Sequence, residues 1–423
     1  MNTFKGLLKN ATVYSLSNIL NALIPFLLLP ILTRVLAPSE YGVLAMFSAT
    51  LGVIGAFTGL SVNGAVNVRF IDRNRIDFPR YIGSCISILL ISTLFTLCTV
   101  CLFRFQISQF TSIPPLWLIM AVLVSMGNFL VQIRLGIWLM SQKPLLYGAF
   151  QVLLSLSNMG LSLIFVLLLK QGYEGRLLGQ ALAVFAFSAI GITSLSWNGW
   201  LRFPPRWIYV KEALSFGVPL VPHVIGGFLI VLADRFIINQ QIGLIAAGVY
   251  MVAAQIGMGM GLFTDAVNKA FVPWLYEHLS AGDQAARRLI IKGTWLYFGV
   301  ILIIACIVAS LSHWIVRFIA GPTYIEAANA LVWLSFGQAF FGMYLMVTNY
   351  VFYKRKTNVL PWITLSAGFV GVSLTWLLTP IFGIAGAGFS FASAMCLRFL
   401  MTWFLAQKVC PMPWFNFSIR ESH

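Results

Sequence analysis

Four charged residues inside long apolar runs of this 423-residue chain are the first candidates for chemistry, namely Arg134, Arg398, Lys269 and Asp265. A charged side chain at the centre of a bilayer costs about 2.5–3.5 kcal/mol on insertion scales, so each of these residues is a candidate for function. Three cations against one acid form a net cationic group, which attracts phosphate or an acidic sugar and repels an organic cation. The residue types therefore favour a substrate that carries one of these anionic groups.

The depth of the two arginines follows from their distance to flanking lysines. Arg134 precedes Lys143 by nine residues, and Arg398 lies ten residues before the next lysine. At about 1.5 Å per residue, both reach roughly the middle of a hydrocarbon core of about 30 Å. A structural role, such as hydrogen bonding to carbonyl groups at a helix kink, stays open for both.

Lys269 lies closer to the predicted cytoplasmic mouth than the two arginines do. Asp265 precedes it by four residues, which places the two side chains on the same helix face. A role in substrate binding is open for this pair, and so is a self-contained ion pair that neutralises itself.

Two further groups of residues lie in or at the ends of the predicted spans. The candidates for a gate or an outer mouth are Arg34, Asp234 and Arg235, for which anchoring at the membrane interface is the alternative. The candidate hinges are Pro25, Pro30, Pro219 and Pro222, since proline removes a helix hydrogen bond and kinks or weakens the helix. The alternative for the prolines is that this residue is simply commoner in membrane helices.

Composition identifies the class of protein that must position these side chains. Hydrophobic residues make up 60% of the chain and charged residues only 9%, and the mean hydropathy is +0.90. A soluble domain carries about 25% charged residues, so this chain is predicted to be an integral membrane protein. The apolar runs reach roughly 20 residues, which is the length of a membrane-spanning helix and about twice that of a barrel strand.

The excess of basic residues indicates how the chain is oriented in the membrane. The net charge is +16, but the Lys and Arg residues sit in short clusters between apolar runs and form no continuous patch, so nucleic acid is not expected as a partner. Of the 27 basic residues, 18 fall on one side of the predicted spans, 6 on the other and 3 within them. Because cytoplasmic loops carry the excess of Lys and Arg, both termini are expected in the cytoplasm.

Apolar runs between charged or Pro/Gly-rich breaks predict about twelve transmembrane helices. Their approximate ranges are 12–33, 41–66, 81–103, 115–140, 145–169, 177–200, 214–238, 246–273, 291–312, 327–352, 359–380 and 386–407. Every connecting loop is short, so no separate soluble domain is expected on either side.

An internal repeat relates the two halves of the chain. The corresponding residues are Lys9 and Lys211, Arg34 and Arg235, Gly42 and Gly248, and Asn67 and Asn268. Six spans per half mean that both halves enter the membrane in the same direction, as in transporters whose substrate pathway lies between parallel repeats. The predicted fold is therefore all-α, with six-helix halves at residues 1–210 and 211–423 and a central cavity.

No cofactor, metal or catalytic residue is expected. The sequence lacks a G-x-x-x-x-G-K-[ST] phosphate loop, and its six cysteines show no metal-ligand spacing.

An ion-coupled drug or metabolite antiporter of the same fold stays open as an alternative. A membrane enzyme such as a polysaccharide polymerase would need a large outer loop with convergent His, Arg or Asp. A purely structural role for the whole bundle is the least favoured alternative, because arginines lie at mid-membrane depth.

Several stretches resemble a known transporter family. They are LLKNATVYSLSN, LTRVLAPSEYGVLA, ADRFIINQQIGLIAAGVY, GPTYIEAANALVWLSFGQAFFGMYLMVTNYVFYKRKT and PIFGIAGAGFS. Together, and in this order along nearly the whole chain, they resemble the polysaccharide-export branch of the multidrug/oligosaccharidyl-lipid/polysaccharide superfamily, in particular the O-antigen flippases of the Wzx type.

The resemblance implies a function, a location and partners. Such proteins are twelve-helix transporters of the bacterial inner membrane that move an undecaprenyl-diphosphate-linked oligosaccharide from the cytoplasmic to the periplasmic leaflet by alternating access. It also implies a hydrophilic, cationic cavity, onto which Arg134, Lys269 and Arg398 map by depth and charge. The expected partners are the lipid-linked oligosaccharide, the bilayer, and the polymerase and chain-length proteins of the same pathway.

Overall fold

The computed structural model describes residues 2–281 and 284–414, and it is helical throughout these ranges with short turns between the helices. The helices are α1 (Asn2–Val35), α2 (Pro38–Phe57), α3 (Val62–Arg69), α4 (Phe78–Leu102), α5 (Arg104–Thr111), α6 (Pro115–Met140), α7 (Pro144–Leu163), α8 (Gly172–Trp197), α9 (Trp207–Gly217), α10 (Val221–Val231), α11 (Ala233–Gln241), α12 (Leu244–Ala281), α13 (Gln284–Ser310), α14 (Ser312–Ile319), α15 (Ala327–Tyr353) and α16 (Leu360–Val409). A π-helical turn, Ile164–Leu168, extends α7, and a 3₁₀ turn, Val218–Leu220, joins α9 to α10.

Eleven helical stretches within the described residues are long and apolar enough to cross a membrane. The last of them, Thr357–Val409, contains two predicted spans, because the helix is broken at Gly383, whose backbone has φ 59° and ψ −144°. Only glycine adopts that conformation readily, so the break falls in the glycine-rich stretch after Pro380. The prediction of an all-helical integral membrane protein with about twelve spans is confirmed.

The second predicted span, 41–66, is shorter in the structure than in the prediction. Helix α2 ends at Phe57, and the next helix begins only at Val62. Between them Gly59, Leu60 and Ser61 all have positive φ values, and the Gly59 N–H donates to Ser92 Oγ at 2.8 Å. A run of left-handed residues cannot continue an α-helix, so the chain turns here inside a stretch whose hydropathy gives no sign of it.

The seventh predicted span, 214–238, is divided into three pieces. The 3₁₀ turn Val218–Leu220 interrupts it first, and Leu232, with φ −129°, then separates α10 from α11. The equivalent first helix of the chain, α1, runs unbroken through both of its prolines.

Contacts divide the chain into two compact units, Met1–Gly248 and Val249–His423. In the first unit, α3, α4, α6 and α9 enclose a core that includes Phe78, Tyr81 and Ile133. In the second, α12, α13, α15 and α16 enclose a core that includes Phe298, Tyr350 and Phe399. The division between sequence halves at residues 210 and 211 stays a prediction.

Two glycines that the repeat relates to each other lie in backbone contact. A Cβ added to Gly42 would lie 2.2 Å from the Leu244 carbonyl oxygen, and one added to Gly248 would lie 2.2 Å from the Pro38 carbonyl oxygen and 2.6 Å from the Gly42 nitrogen. Helix α2 begins beside this contact with Pro38 in its first turn, where the Ala37 N–H donates to Glu40 Oε2 at 2.9 Å. Only glycine at both positions allows α2 and the first turns of α12 to approach so closely.

Candidate functional site

Arg134 is fixed inside the first unit at the contact between α6 and α8. It is 3% exposed, and its Nη2 donates to Ser194 Oγ of α8 at 2.6 Å. Its guanidinium carbon lies 4.1 Å from the ring centroid of Trp138, one turn further along α6. Trp138 in turn packs edge-on against Phe150, with 5.1 Å between ring centroids. A serine and an aromatic face thus hold the cation without neutralising it.

Arg398 occupies a similar environment inside the second unit. It lies in the part of α16 that follows Gly383, and its Nη2 donates to Tyr344 Oη of α15 at 3.0 Å. The guanidinium carbon lies 3.9 Å from the Tyr344 ring centroid. Tyr344 also stacks on Phe341 at 6.2 Å between centroids. Cation–π contact of this kind favours arginine in a site of low polarity.

The two arginine sites have the same composition. Each joins the fourth and the sixth span of its half and combines one hydroxyl with one aromatic ring, and each leaves the guanidinium Nε buried without a partner within the described ranges. The ion pairs found among the described residues do not include Arg134 or Arg398. Each unit therefore contains a guanidinium whose charge is offset by none of the carboxylates that the structure describes. The structure places the two arginines in different units, and each site is complete within its own unit.

Asp265 and Lys269 form the ion pair that their spacing allows. Lys269 Nζ lies 2.5 Å from Asp265 Oδ2 along α12, and the two side chains are 55% and 43% exposed. Nearby, Asn268 Oδ1 accepts from Asn349 Nδ2 of α15 at 2.8 Å. The pair is formally neutral, so it adds a dipole to its surroundings and no net charge. A part for it in substrate binding stays a proposal.

The geometry predicts how this pair responds to mutation. Asp265→Ala leaves an unpaired lysine in a membrane-spanning helix at a cost of up to about 3 kcal/mol, whereas the double variant with Lys269→Ala removes both charges. We expect the single variant to lower the yield of membrane-inserted protein and the double variant to restore it. Quantitative immunoblotting of washed membranes measures the yield. Equal losses in the single and double variants would contradict the pairing.

The three candidate mouth residues differ in their burial. Arg34 is exposed in the last turn of α1, and its Nη1 donates to the Pro30 carbonyl at 3.0 Å. Arg235 is only 4% exposed; its Nη1 donates to the Val231 carbonyl at 3.2 Å, and its backbone N–H donates to Asp234 Oδ1 at 2.8 Å. Anchoring at a membrane interface does not by itself require this burial of Arg235. Gating by these residues stays a proposal.

The four candidate hinge prolines lie in two different settings. Pro25 and Pro30 lie within the continuous helix α1. Pro219 lies in the 3₁₀ turn between α9 and α10, and Pro222 in the first turn of α10. A 3₁₀ segment within a longer helix often marks a hinge, so the second pair is the better candidate for one. Hinge motion at either pair stays a proposal.

Sequence reasoning missed a polar group at one end of α7 and α8. Arg176 is only five residues into α8, and its Nη1 donates to Asn158 Oδ1 at 2.7 Å and to Ser162 Oγ at 3.0 Å. Arg176 lies one residue before the predicted span 177–200, so it was not among the candidate functional residues. The signal that could have revealed the group is the recurrence of polar residues every three or four positions along α7.

A second polar group ties the segment after α3 to α9. Arg69 forms ion pairs with Glu212 and, at 2.9 Å, with Asp72, and the Asp77 N–H donates to Tyr209 Oη at 3.2 Å. Hydrogen bonding to Glu212 first and to Asp72 second raises the pKa of the Arg69 guanidinium above its ordinary value. The two carboxylates thus stabilise the charged form of Arg69 and fasten α3 to α9.

Comparison with known proteins identifies the family. The model of the family described as polysaccharide biosynthesis protein matches residues 7–278. The chain belongs to this polysaccharide biosynthesis family. The resemblance to a polysaccharide family is thereby confirmed.

Relatives of this polysaccharide biosynthesis protein extend over most of its length. It is 24% identical over 367 residues to an uncharacterized membrane protein of Haemophilus influenzae, which covers 84% of this chain and 85% of the relative. It is 23% identical over 399 residues to protein 1 of the Lsg locus of the same organism, covering 90% and 94% of the two chains. It is 20% identical over 424 residues to the capsular polysaccharide biosynthesis protein CapF of Staphylococcus aureus, covering 95% and 100%.

Solved structures show which fold the polysaccharide biosynthesis protein shares. The lipid II flippase MurJ in an inward closed conformation matches with a TM-score of 0.77 at 12% identity, over 94% of this chain and 87% of that one. An inward-facing multidrug resistance MATE family transporter of the MOP superfamily matches with a TM-score of 0.73 at 13% identity, over 92% and 94%. At these identities the likeness shows the fold alone, and flippases and drug transporters both have it.

Proposed function

We propose that this membrane protein is a flippase that moves an undecaprenyl-diphosphate-linked saccharide, an O-antigen repeat unit, from the cytoplasmic to the periplasmic leaflet of the bacterial inner membrane. Transport proceeds by alternating access, and no bond is made or broken. The substrate is a lipid tail, a diphosphate and a hydroxyl-rich saccharide, and the protein must shield the last two from hydrocarbon during transfer. Membership of the polysaccharide biosynthesis family supports a saccharide substrate.

The observation that carries the proposal is the pair of arginines within membrane-spanning helices that lack a carboxylate partner among the described residues. Arg134 and Arg398 each retain a full positive charge held by a hydroxyl and an aromatic ring. A guanidinium so placed can exchange its neutral hydroxyl contact for a phosphate oxygen, and the bond to a charged acceptor is the stronger of the two. An organic cation would meet repulsion at both sites.

Two acidic residues bear on the alternative of a cationic-drug antiporter of the same fold. Such a transporter needs carboxylates that are free to attract its cationic substrate. Asp265 is paired with Lys269, and both oxygens of Glu40 accept backbone N–H groups, from Ala37 at 2.9 Å and Tyr173 at 3.2 Å. These two acids are therefore already engaged in the described part of the chain.

Leaflet accessibility tests the proposal. Purified protein is reconstituted into liposomes that contain a labelled undecaprenyl-diphosphate oligosaccharide, and a membrane-impermeant sugar-modifying reagent is added outside. We expect the modified fraction of the labelled saccharide to rise from the share in the outer leaflet toward completion. The assay is run in parallel with and without an imposed ion gradient. Modification that stays at the protein-free level in every arm and with every saccharide would overturn it. Efflux of a cationic dye by the same liposomes would support the antiporter.

A further inference from the structure

Helix α7 carries a polar face along most of its length. Its members are Tyr147, Gln151, Ser155, Asn158 and Ser162. At about 100° per residue these five positions fall within an arc of about 80°. They extend over about 22 Å, against a hydrocarbon core of about 30 Å. The opposite face carries exposed leucines, among them Leu153 at 54% and Leu156 at 42%. Helix α7 is thus polar on one side and apolar on the other inside a membrane.

Helix α1 packs its own polar residues against that face. Tyr14 meets Tyr147 edge to face with 5.2 Å between ring centroids, and Ser155 Oγ donates to Asn21 Oδ1. A Cβ on Gly148 would lie 2.0 Å from Ser17 Oγ, so the missing side chain lets the helices approach. We call these residues the polar seam: Tyr14, Ser17 and Asn21 of α1 with Tyr147, Gln151, Ser155, Asn158 and Ser162 of α7.

The polar seam contains groups that the described residues leave unsatisfied. Tyr14 Oη and Gln151 Oε1 are both buried and have no hydrogen-bond partner within the ranges that the structure describes. Polar residues commonly join membrane helices to one another, but in that role their atoms are paired. Buried polar atoms without protein partners are normally satisfied by water or by a ligand.

The chemistry of the polar seam suits hydroxyl groups. Its side chains are hydroxyls and amides, which donate and accept hydrogen bonds and carry no charge. No Asp or Glu belongs to it, so it lacks the ligands that a metal ion or an organic cation requires. Outside the seam, Arg176 of α8 donates to Asn158 and Ser162 at one end of it. Sugar hydroxyls have the same mixed donor and acceptor character as the seam.

We propose that the polar seam between α1 and α7 is a hydrated path that binds hydroxyl groups of the saccharide during its transfer. The identity of the ligand in this proposal rests on the proposed function, but the hydration of the seam does not. In this division of roles the arginine guanidinium groups bind the diphosphate and the uncharged seam binds the sugar.

Cysteine labelling tests the hydration of the seam. The six native cysteines are replaced in the full-length protein, and single cysteines are introduced by Gln151→Cys and Ser155→Cys, with Leu153→Cys and Leu156→Cys as controls on the opposite face of α7. A thiol reacts as its thiolate, which forms in water and is suppressed in hydrocarbon, so a charged thiol reagent should label the seam at least about tenfold faster than the controls. Equal rates on the two faces of α7 overturn the proposal.

Protection by substrate tests the ligand. We expect the lipid-linked saccharide to slow labelling of both seam cysteines, and undecaprenyl diphosphate without sugar to leave it unchanged. If the wild-type protein transfers the saccharide-lipid between leaflets but the saccharide gives no protection, this inference fails and the proposed function stands. If the wild-type protein transfers no saccharide-lipid, the proposed function fails, and absence of protection in the same liposomes then overturns this inference as well.

Discussion

Arg134→Ala and Arg398→Ala are each expected to lower the rate of leaflet transfer of the lipid-linked saccharide by about 10-fold to 100-fold, and the double variant is expected to show no transfer. A hydrogen bond from a guanidinium to a charged acceptor contributes about 1.5–3 kcal/mol, which corresponds to that range. Arg→Lys at either position keeps the charge but loses the planar, bidentate donor, so we expect an intermediate rate. The measurement is the initial rate of sugar modification by the impermeant reagent.

Matched variants separate substrate binding from helix anchoring. Ser194→Ala and Tyr344→Phe remove the hydrogen-bond partners of the two arginines but keep the guanidinium charges. In the proposed mechanism the guanidinium exchanges this hydroxyl for a phosphate oxygen, so the hydroxyl is not needed in the substrate complex and these variants should retain rates within about fivefold of the wild type, which is about 1 kcal/mol. Arg317→Ala, at an exposed position on α14, serves as a general arginine control. Full transfer by both single arginine variants and by the double variant would refute the cationic sites.

Gly42→Ala and Gly248→Ala are expected to destabilise the protein strongly although each adds only one methyl group. At both positions the new carbon would lie 2.2 Å from a backbone carbonyl oxygen, which a side-chain rotation cannot relieve. Helices α2 and α12 would have to move apart, and overpacking of this kind costs about 1–3 kcal/mol or more. The thermal unfolding midpoint in detergent, followed by fluorescence-detected size exclusion, should fall by several degrees.

Two other glycines provide the control for this prediction. Gly160 of α7 and Gly299 of α13 have open space where a Cβ would lie. Alanine is favoured over glycine within a helix by up to about 1 kcal/mol, so Gly160→Ala and Gly299→Ala should leave the midpoint unchanged or raise it slightly. If the four variants unfold at the same temperature, the close approach of α2 and α12 does not stabilise the protein.

Hydropathy predicted the class of the protein and the position of most helices because transfer into a bilayer is a local property of about 20 residues. The break at Gly383 could also be expected, since it falls in a glycine-rich stretch after a proline. The turn at Leu60 and Ser61 could not, because nothing in those side chains indicates a positive φ value. It depends on packing, including the hydrogen bond from Gly59 to Ser92 on another helix.

The candidate site was predictable only in part. The search for charges in apolar runs selected Arg134 and Arg398, but their partners lie 60 and 54 residues away in sequence and depend on which helices pack together. The polar seam was missed because serine, asparagine and glutamine lower a hydropathy average only slightly. Their recurrence on one face of α7 becomes meaningful once α1 is seen to present polar residues to the same face.

The two arginine sites are built in opposite directions between the fourth and sixth spans. In the first unit the cation lies on the fourth span and its hydroxyl partner on the sixth; in the second unit the cation lies on the sixth span and the hydroxyl on the fourth. An alignment of one half on the other therefore does not pair Arg134 with Arg398. Each unit holds a positive charge between its fourth and sixth spans, although a different helix supplies it.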